Sequence, residues 1–299
     1  MHRGRRAGAH HRLRRRAGAG TVDGPADLNG VPAKFRGIAL HTWTVDTTPL
    51  DAALAAAKAG GCDAVELRRI DFTRNANALD LVKQSGLPVA CVGVEPGWIF
   101  SSKGEEQERL FGVFRESCQA TVALGCPTLM SAMGPGSASL DEAVANMRRA
   151  GDIAGEFGLK LAVEYQFLHP VMKSLDIVRD AVRKADSGSV GLLLDAYHLQ
   201  RGGRSGGAFE DVPAAEIFYV QFSDVPDAPP NGPPPVDRLP PGKGVADWSG
   251  LLRGLAAKNY TGYLSYEAPN PAHWARPAAD VAREGAEAMR AEIGHAFGR

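Results

Sequence analysis

The sequence predicts a single (β/α)8 barrel, and three observations predict it. Eight short, nearly continuously apolar runs recur at spacings of about 25–40 residues. Longer segments with helical patterning separate them. The 299-residue chain is long enough for the roughly 250 residues that such a barrel takes. The runs are Gly37–Leu40, Ala64–Leu67, Val89–Val94, Thr128–Ser131, Leu161–Val163, Gly191–Leu194, Phe218–Phe222 and Tyr263–Tyr266. Strands of a parallel sheet covered on both faces lack the polar alternation of a half-exposed sheet, and these runs lack it. Pro49 opens a helix over Pro49–Ala59 that Gly60-Gly61 ends. Ser139 or Asp141 can cap Leu140–Phe157, which stops at Gly158. Lys173–Ala185, Trp248–Ala257 and Pro277–Phe297 complete the clear helices. With no composition break across eight units, a closed barrel over residues 35–299 is favoured over an open doubly wound sheet with two added strands. Two stretches interrupt the rhythm, Gly202–Gly207 and Pro226–Pro241. Each follows a strand, where barrel loops build active sites.

The formal charge of zero, from 34 basic and 34 acidic residues, hides an uneven layout. Seven arginines lie between Arg3 and Arg16, and the rest of the chain carries a formal charge of −7. Residues 1–30 form a basic, Gly- and Ala-rich extension without apolar periodicity, which is expected to be disordered. It lacks the apolar core of a secretory signal; a presequence and a nucleic-acid-binding arm are weighed against a simple extension. The acidic remainder argues against nucleic acid as the main partner. No run approaches the length of a transmembrane helix. Cys62, Cys91, Cys118 and Cys126 form no C-x-x-C pair and read as buried, reduced thiols of a cytoplasmic protein.

Chemistry in a barrel belongs at the C-terminal strand ends. Strand five runs into Glu164, strand six into Asp195, strand seven contains Gln221 and strand eight runs into Glu267. One such acid could serve a rim salt bridge. Three carboxylates and an amide converging near one axis would repel one another without a cation, so a divalent metal is expected on Glu164, Asp195, Gln221 and Glu267. An oxygen-only set favours Mg²⁺ or Mn²⁺, with Co²⁺ next and zinc disfavoured.

From Phe35 to about Gly294 these residues resemble the xylose isomerase-like barrels of the sugar phosphate isomerase/epimerase type, which include ketose 3-epimerases, inosose dehydratase and 3-dehydroshikimate dehydratases. The resemblance implies a metal held by Glu, Asp, His and Glu on strands five to eight, here Glu164, Asp195, Gln221 and Glu267. Gln221 departs from the usual His and is similar to the dehydroshikimate dehydratase-like members. The resemblance also implies a His three residues after the strand-six acid, matched by His198, and a substrate-contacting Arg before a P-G-x-G turn, matched by Arg238. Dimers or tetramers are usual for such proteins. Endonuclease IV, a distant relative, needs more His ligands than the strand ends offer.

A divalent ion among carboxylates can chelate a carbonyl and a neighbouring hydroxyl, acidify the carbon between them and hold an enediolate. Glu164 and Glu267 would then remove and return a proton on opposite faces of that carbon. The expected activity is therefore metal-dependent isomerisation or epimerisation of a small, carbohydrate-like carbonyl compound. The alternative is dehydration, with His198 or His169 protonating a leaving hydroxyl, and a non-catalytic binding barrel is a second alternative. Glu66 is expected to complete a substrate wall or form a rim salt bridge. His41 and Trp43 are expected to line the pocket, with His169 on the loop after strand five contacting substrate.

Overall fold

The computed structural model describes residues 35–94, 98–206 and 208–298. The basic extension over residues 1–30 lies outside them. Eight parallel strands close into a barrel in sequential order: β1 (Gly37–His41), β2 (Ala64–Arg68), β3 (Val89–Gly93), β4 (Thr128–Ala132), β5 (Lys160–Glu164), β6 (Val190–Asp195), β7 (Ile217–Phe222) and β8 (Tyr263–Tyr266). Every apolar run in the sequence becomes a strand. Five of them extend by one residue at the C-terminal end, to include His41, Arg68, Ala132, Glu164 and Asp195.

Helices surround the barrel. The helix over Leu140–Glu156 begins at a reciprocal cap: Glu142 N donates to Ser139 Oγ at 3.3 Å, and Ser139 N donates to Glu142 Oε2 at 2.7 Å. Its neighbour Gly104–Ala123 is as long as the C-terminal helix Ala278–Phe297, yet was not among the helices clear in the sequence. Its start at Lys103 has no side-chain cap, although Glu105 and Glu106 in the first turn suit the helix dipole, and it buries Leu110, Phe111, Phe114 and Cys118 along one face. Short helices over Arg69–Arg74, Ala196–Arg201 and Pro271–Trp274 follow β2, β6 and β8. Among the described residues no helix is long and apolar enough to cross a membrane.

Strand alternation builds the interior. Successive side chains on a strand point to opposite faces, so every second residue faces the axis. Ala39, Ala64, Ala90, Cys91, Met130, Ala162, Leu193, Tyr219 and Tyr263 pack together as a small inner core. The larger core, between sheet and helices, holds Ile38, Leu40, Leu161, Leu194 and Val220 from the same strands. Two residues beyond Ala39, Ala64, Ala162, Leu193 and Tyr219 stand His41, Glu66, Glu164, Asp195 and Gln221. The alternation that packs the inner core therefore aims these polar side chains inward. The four cysteines are free and buried.

Candidate metal centre and active site

Asp195 serves two structures at once. Its Oδ1 accepts from Tyr197 N at 2.9 Å and caps the helix Ala196–Arg201, leaving Oδ2 aimed into the barrel mouth. Three residues later, nearly one helical turn, His198 returns to the same side. Its Nε2 lies 3.7 Å from Asp195 Oδ2 and 3.6 Å from Glu164 Oε1. One ligand atom from each of Glu164, Asp195 and His198 lies within 4.8 Å of the others. That span can close on one ion with bonds of about 2.0–2.6 Å.

His198 sits among Tyr165, Phe167 and Tyr197, with ring centroids 6.0, 5.7 and 5.7 Å away. Burial in this aromatic cage pulls its pKa down to about 3, so the imidazole is neutral. Arg238 Nη2 lies 3.3 Å from Nε2 and can only donate, which leaves Nε2 as the acceptor nitrogen.

Arg238 reaches this floor from the long segment after β7. Asp224 fastens that segment at both ends. Its backbone pairs with Leu239 through bonds of 2.7 and 3.0 Å. Its Oδ1 accepts from Val225 N and Ala246 N at 2.8 and 2.9 Å, and its Oδ2 accepts from Trp248 Nε1 at 3.1 Å. Asp224 thus holds the whole loop in place. Gly244 must be glycine here, since a Cβ would stand 2.2 Å from Val225 O. The fastened segment drives Arg238 inward, where Nη1 meets Asp195 Oδ2 at 2.7 Å and Glu267 Oε2 at 2.8 Å. The guanidinium also lies over the Tyr197 ring, 4.6 Å from its centroid.

Thr44 positions Glu267 from β8. Its hydroxyl donates to Tyr266 O and accepts from Ala268 N, each at 2.9 Å, which brackets the acid. Burial pushes the Glu267 carboxyl up, against the pull of Arg238. His41 Nδ1 accepts from Trp43 N at 3.0 Å, so the ring proton is on Nε2. That atom faces Glu267 Oε1 at 3.6 Å and Glu66 Oε1 at 3.8 Å. Burial, then Arg68 and Arg238, hold the His41 pKa well below its ordinary value. Deeper in the barrel, Gln221 Nε2 donates to Glu66 Oε1 at 2.9 Å. Burial and the nearby Glu267 push the Glu66 carboxyl up to about 8.

Above this floor opens a cavity of about 770 Å³, walled by Trp43, Trp98, Phe167, Leu168 and Pro233–Pro235. His41, Glu164, His198, Arg238 and Glu267 face it. Asp195 and Gln221, both fully buried, stand beneath that surface.

Several expectations change. Glu66 is neither a substrate wall nor a rim salt bridge: it is fully buried, absent from the cavity lining, and bonded to Gln221. Arg68 lines the cavity instead, pairing with Asp46 at 2.7 Å and Asp71 at 3.6 Å. His169 lines the cavity, but its nitrogens are committed to the loop. Nδ1 accepts from Val171 N and Met172 N, and Nε2 lies 3.0 Å from Gly134 O. These three contacts hold the loop after β5 in shape. One helical turn also brings the His198 nitrogen beside Glu164 and Asp195, so the donor atoms gathered here are not oxygen alone. The sequence signal for the aromatic cage is Tyr165 and Phe167, one and three residues after Glu164.

Residues 54–292 match the family model of the xylose isomerase-like TIM barrel. The chain belongs to that family. It is similar to 3-dehydroshikimate dehydratase of Pseudomonas putida, 26% identical over 254 residues, covering 79% of this chain and 38% of that protein. It is also similar to inosose isomerase of Halalkalibacterium halodurans, 27% identical over 125 residues, 41% of this chain and 44% of that one. The chain thus spans less than half the length of these curated relatives. Among solved structures, the IOLI protein with a binding zinc atom matches with a TM-score of 0.77 at 18% identity, covering 88% of this chain and 100% of that chain. That likeness shows the family's fold.

Proposed function

We propose that this chain is a divalent-metal-dependent isomerase or epimerase of a small polyhydroxylated carbonyl compound. The observation that carries the reading is the pair of buried carboxylates, Glu164 and Glu267, on non-adjacent strands and facing one cavity. Glu164, Asp195, Glu267 and the amide oxygen of Gln221 would hold the ion, with His198 as a neighbouring nitrogen donor. The fit rests on the donor set: ligand atoms of Glu164, Asp195 and His198 within 4.8 Å of one another, and a buried Gln221 Oε1 with no hydrogen-bond partner. A bound divalent ion supplies Lewis-acid polarisation of a carbonyl oxygen and acidifies the adjacent C–H.

The chain's own groups supply the rest. Glu164 and Glu267 hold and move the proton at the carbon beside the carbonyl, and burial raises the proton affinity of Glu267 for that task. His41 presents Nε2–H beside Glu267 and steadies its charged form. Arg238 orients Glu267 and Asp195. The aromatic and proline walls exclude water and offer an apolar face to a ring.

Dehydration is the second reading, favoured by Gln221 on β7 and by the relative named 3-dehydroshikimate dehydratase. Its proposed acid, His198, is held neutral with Nε2 as an acceptor, which suits it poorly to protonate a leaving hydroxyl. This supports return of the proton by a carboxylate over protonation of a leaving group by His198. Mn²⁺-loaded protein in D₂O, incubated with ketoses, inososes and 3-dehydroshikimate, tests the choice. Deuterium entering recovered substrate or its epimer, and lost in Glu164→Gln and Glu267→Gln, supports isomerisation. Loss of water from 3-dehydroshikimate would establish the second reading. Metal-loaded protein inert toward the whole panel would overturn both.

A further inference from the structure

We infer that Glu66 is a positioning residue: it fixes which end of the Gln221 amide faces the metal centre. This rests on the metal reading proposed above and adds the device that orients one of its ligands.

An amide has two ends of similar shape and opposite hydrogen-bonding sense. For Gln221 the difference is decisive, because the residue is fully buried and water cannot satisfy whichever end is turned away. Glu66 and Gln221 belong to β2 and β7, which are not neighbours in the barrel. Their side chains span the axis and meet at 2.9 Å, with Nε2 donating to Glu66 Oε1. The interior has room for this strut because Ala39, Ala64, Ala90, Cys91 and Ala162 are small. With Nε2 committed, Gln221 Oε1 leaves by the other limb of the amide. That oxygen is buried and meets no hydrogen-bond donor. Gln221 lies directly across from Asp195, the acid that meets Arg238 Nη1, in the β6–β7 register.

The reversed amide would point N–H donors at a cation and set Gln221 Oε1 against Glu66 Oε1, two acceptors unless a proton sits between them. Burial keeps a proton on Glu66 in the metal-free protein, and a bound cation would favour the acceptor-only carboxylate, which disfavours that rotamer. A carboxamide at position 66 always has an N–H to offer, and the preference would be lost. Glu66 is therefore to Gln221 what the carboxylate partner is to a metal-bound imidazole, an outer group that sets ligand orientation.

The experiment is a Mn²⁺ titration of the full-length chain, followed by the paramagnetic resonance signal of free Mn²⁺. Wild type, Glu66→Gln, Gln221→Ala and the double variant are compared, with melting temperature in EDTA as the fold control. Glu66→Gln is expected to weaken Mn²⁺ binding by about 10–100-fold. In the Gln221→Ala background the same change should cost little more, because Glu66 acts through Gln221. Equal affinity of wild type and Glu66→Gln overturns the role of Glu66 alone. So does an equal further loss in the Gln221→Ala background. A wild type that binds no Mn²⁺ overturns the metal reading and this inference together. A measurement on the unmodified chain covers the case where variants misfold. With ¹⁵N-glutamine labelling, one side-chain NH₂ pair should be protected from solvent exchange and should shift on adding Mg²⁺. Absence of such a pair also refutes the proposal.

Discussion

Replacing Arg238 with Met tests the electrostatics of the site without chemistry. The change keeps an apolar stem over Tyr197 and removes the guanidinium that bridges Asp195 Oδ2 at 2.7 Å and Glu267 Oε2 at 2.8 Å. Among the described residues no other Lys or Arg forms an ion pair with either acid. Removing one partner of a buried pair costs about 3–5 kcal/mol, mostly from stranding the other charge. At about 2–4 °C per kcal/mol for a domain near this size, the metal-free variant should melt roughly 6–20 °C below wild type at pH 8. The sign with pH follows from the carboxyls. Without Arg238, Glu267 is pushed further up, so the native state binds more protons than the unfolded chain between the ordinary carboxylate range and its folded value. Stability therefore falls as pH rises through that window, and the deficit should shrink at pH 5.5. Mn²⁺ should raise the melting temperature of the variant more than that of wild type. Differential scanning fluorimetry in EDTA and in Mn²⁺ reads all of this. A variant melting within about 2 °C of wild type in EDTA at pH 8 would refute the idea that Arg238 is the resident counter-charge.

Three further outcomes follow from the geometry. Glu66, with a folded pKa of about 8, binds its proton more tightly folded than unfolded. Metal-free wild type should gain melting temperature as pH is lowered from 8 toward 5, and Glu66→Gln should flatten that slope; an unchanged slope would contradict the assignment. Burial pushes the thiols of Cys62, Cys118 and Cys126 up to about 12, which leaves a thiolate fraction of about 10⁻⁴ at pH 8. Ellman's reagent should therefore find them only after denaturation, and rapid native labelling would show the fold is looser than described. Gly244→Ala would push a methyl to 2.2 Å from Val225 O and 2.6 Å from Asp224 Oδ1. It should cost about 1–3 kcal/mol in a melting experiment and reduce turnover by displacing Arg238; unchanged turnover would separate the loop from the site.

The strands and the inward-facing acids were legible because one rule governs both. Period-two alternation packs Ala162 and Leu193 inside the barrel and necessarily sends Glu164 and Asp195 the same way. What alternation leaves open is depth along the axis. Glu66 lies within the run Ala64–Leu67 and also faces inward, yet the β2–β3 register shifts between Val65 and Glu66, and the side chain lies beneath the cavity. The role of His169 depends on a tight loop whose backbone N–H groups meet Nδ1, an event without periodic signature. Arg238 was recognisable by resemblance as a site residue. Its place between two acids follows from a chain reversal that brings Leu239 back to Asp224, a contact between segments rather than within one.

That reversal separates two jobs within one stretch of sequence. Asp224 fixes Val225 at one end, and the pairing with Leu239 fixes the other, so residues 226–237 form a tethered arch. Pro233–Pro235 at its crown form part of the cavity roof, while Arg238 at its foot stays on the floor. The arch is also stitched to the helix Ala196–Arg201: Arg201 Nη1 donates to Ala228 O at 2.5 Å, and the Tyr197 hydroxyl donates to Asp237 Oδ1 at 2.7 Å. Roof and floor are therefore joined through the same short helix that carries His198, so a rewritten arch would have to keep those two stitches to leave the imidazole where it is.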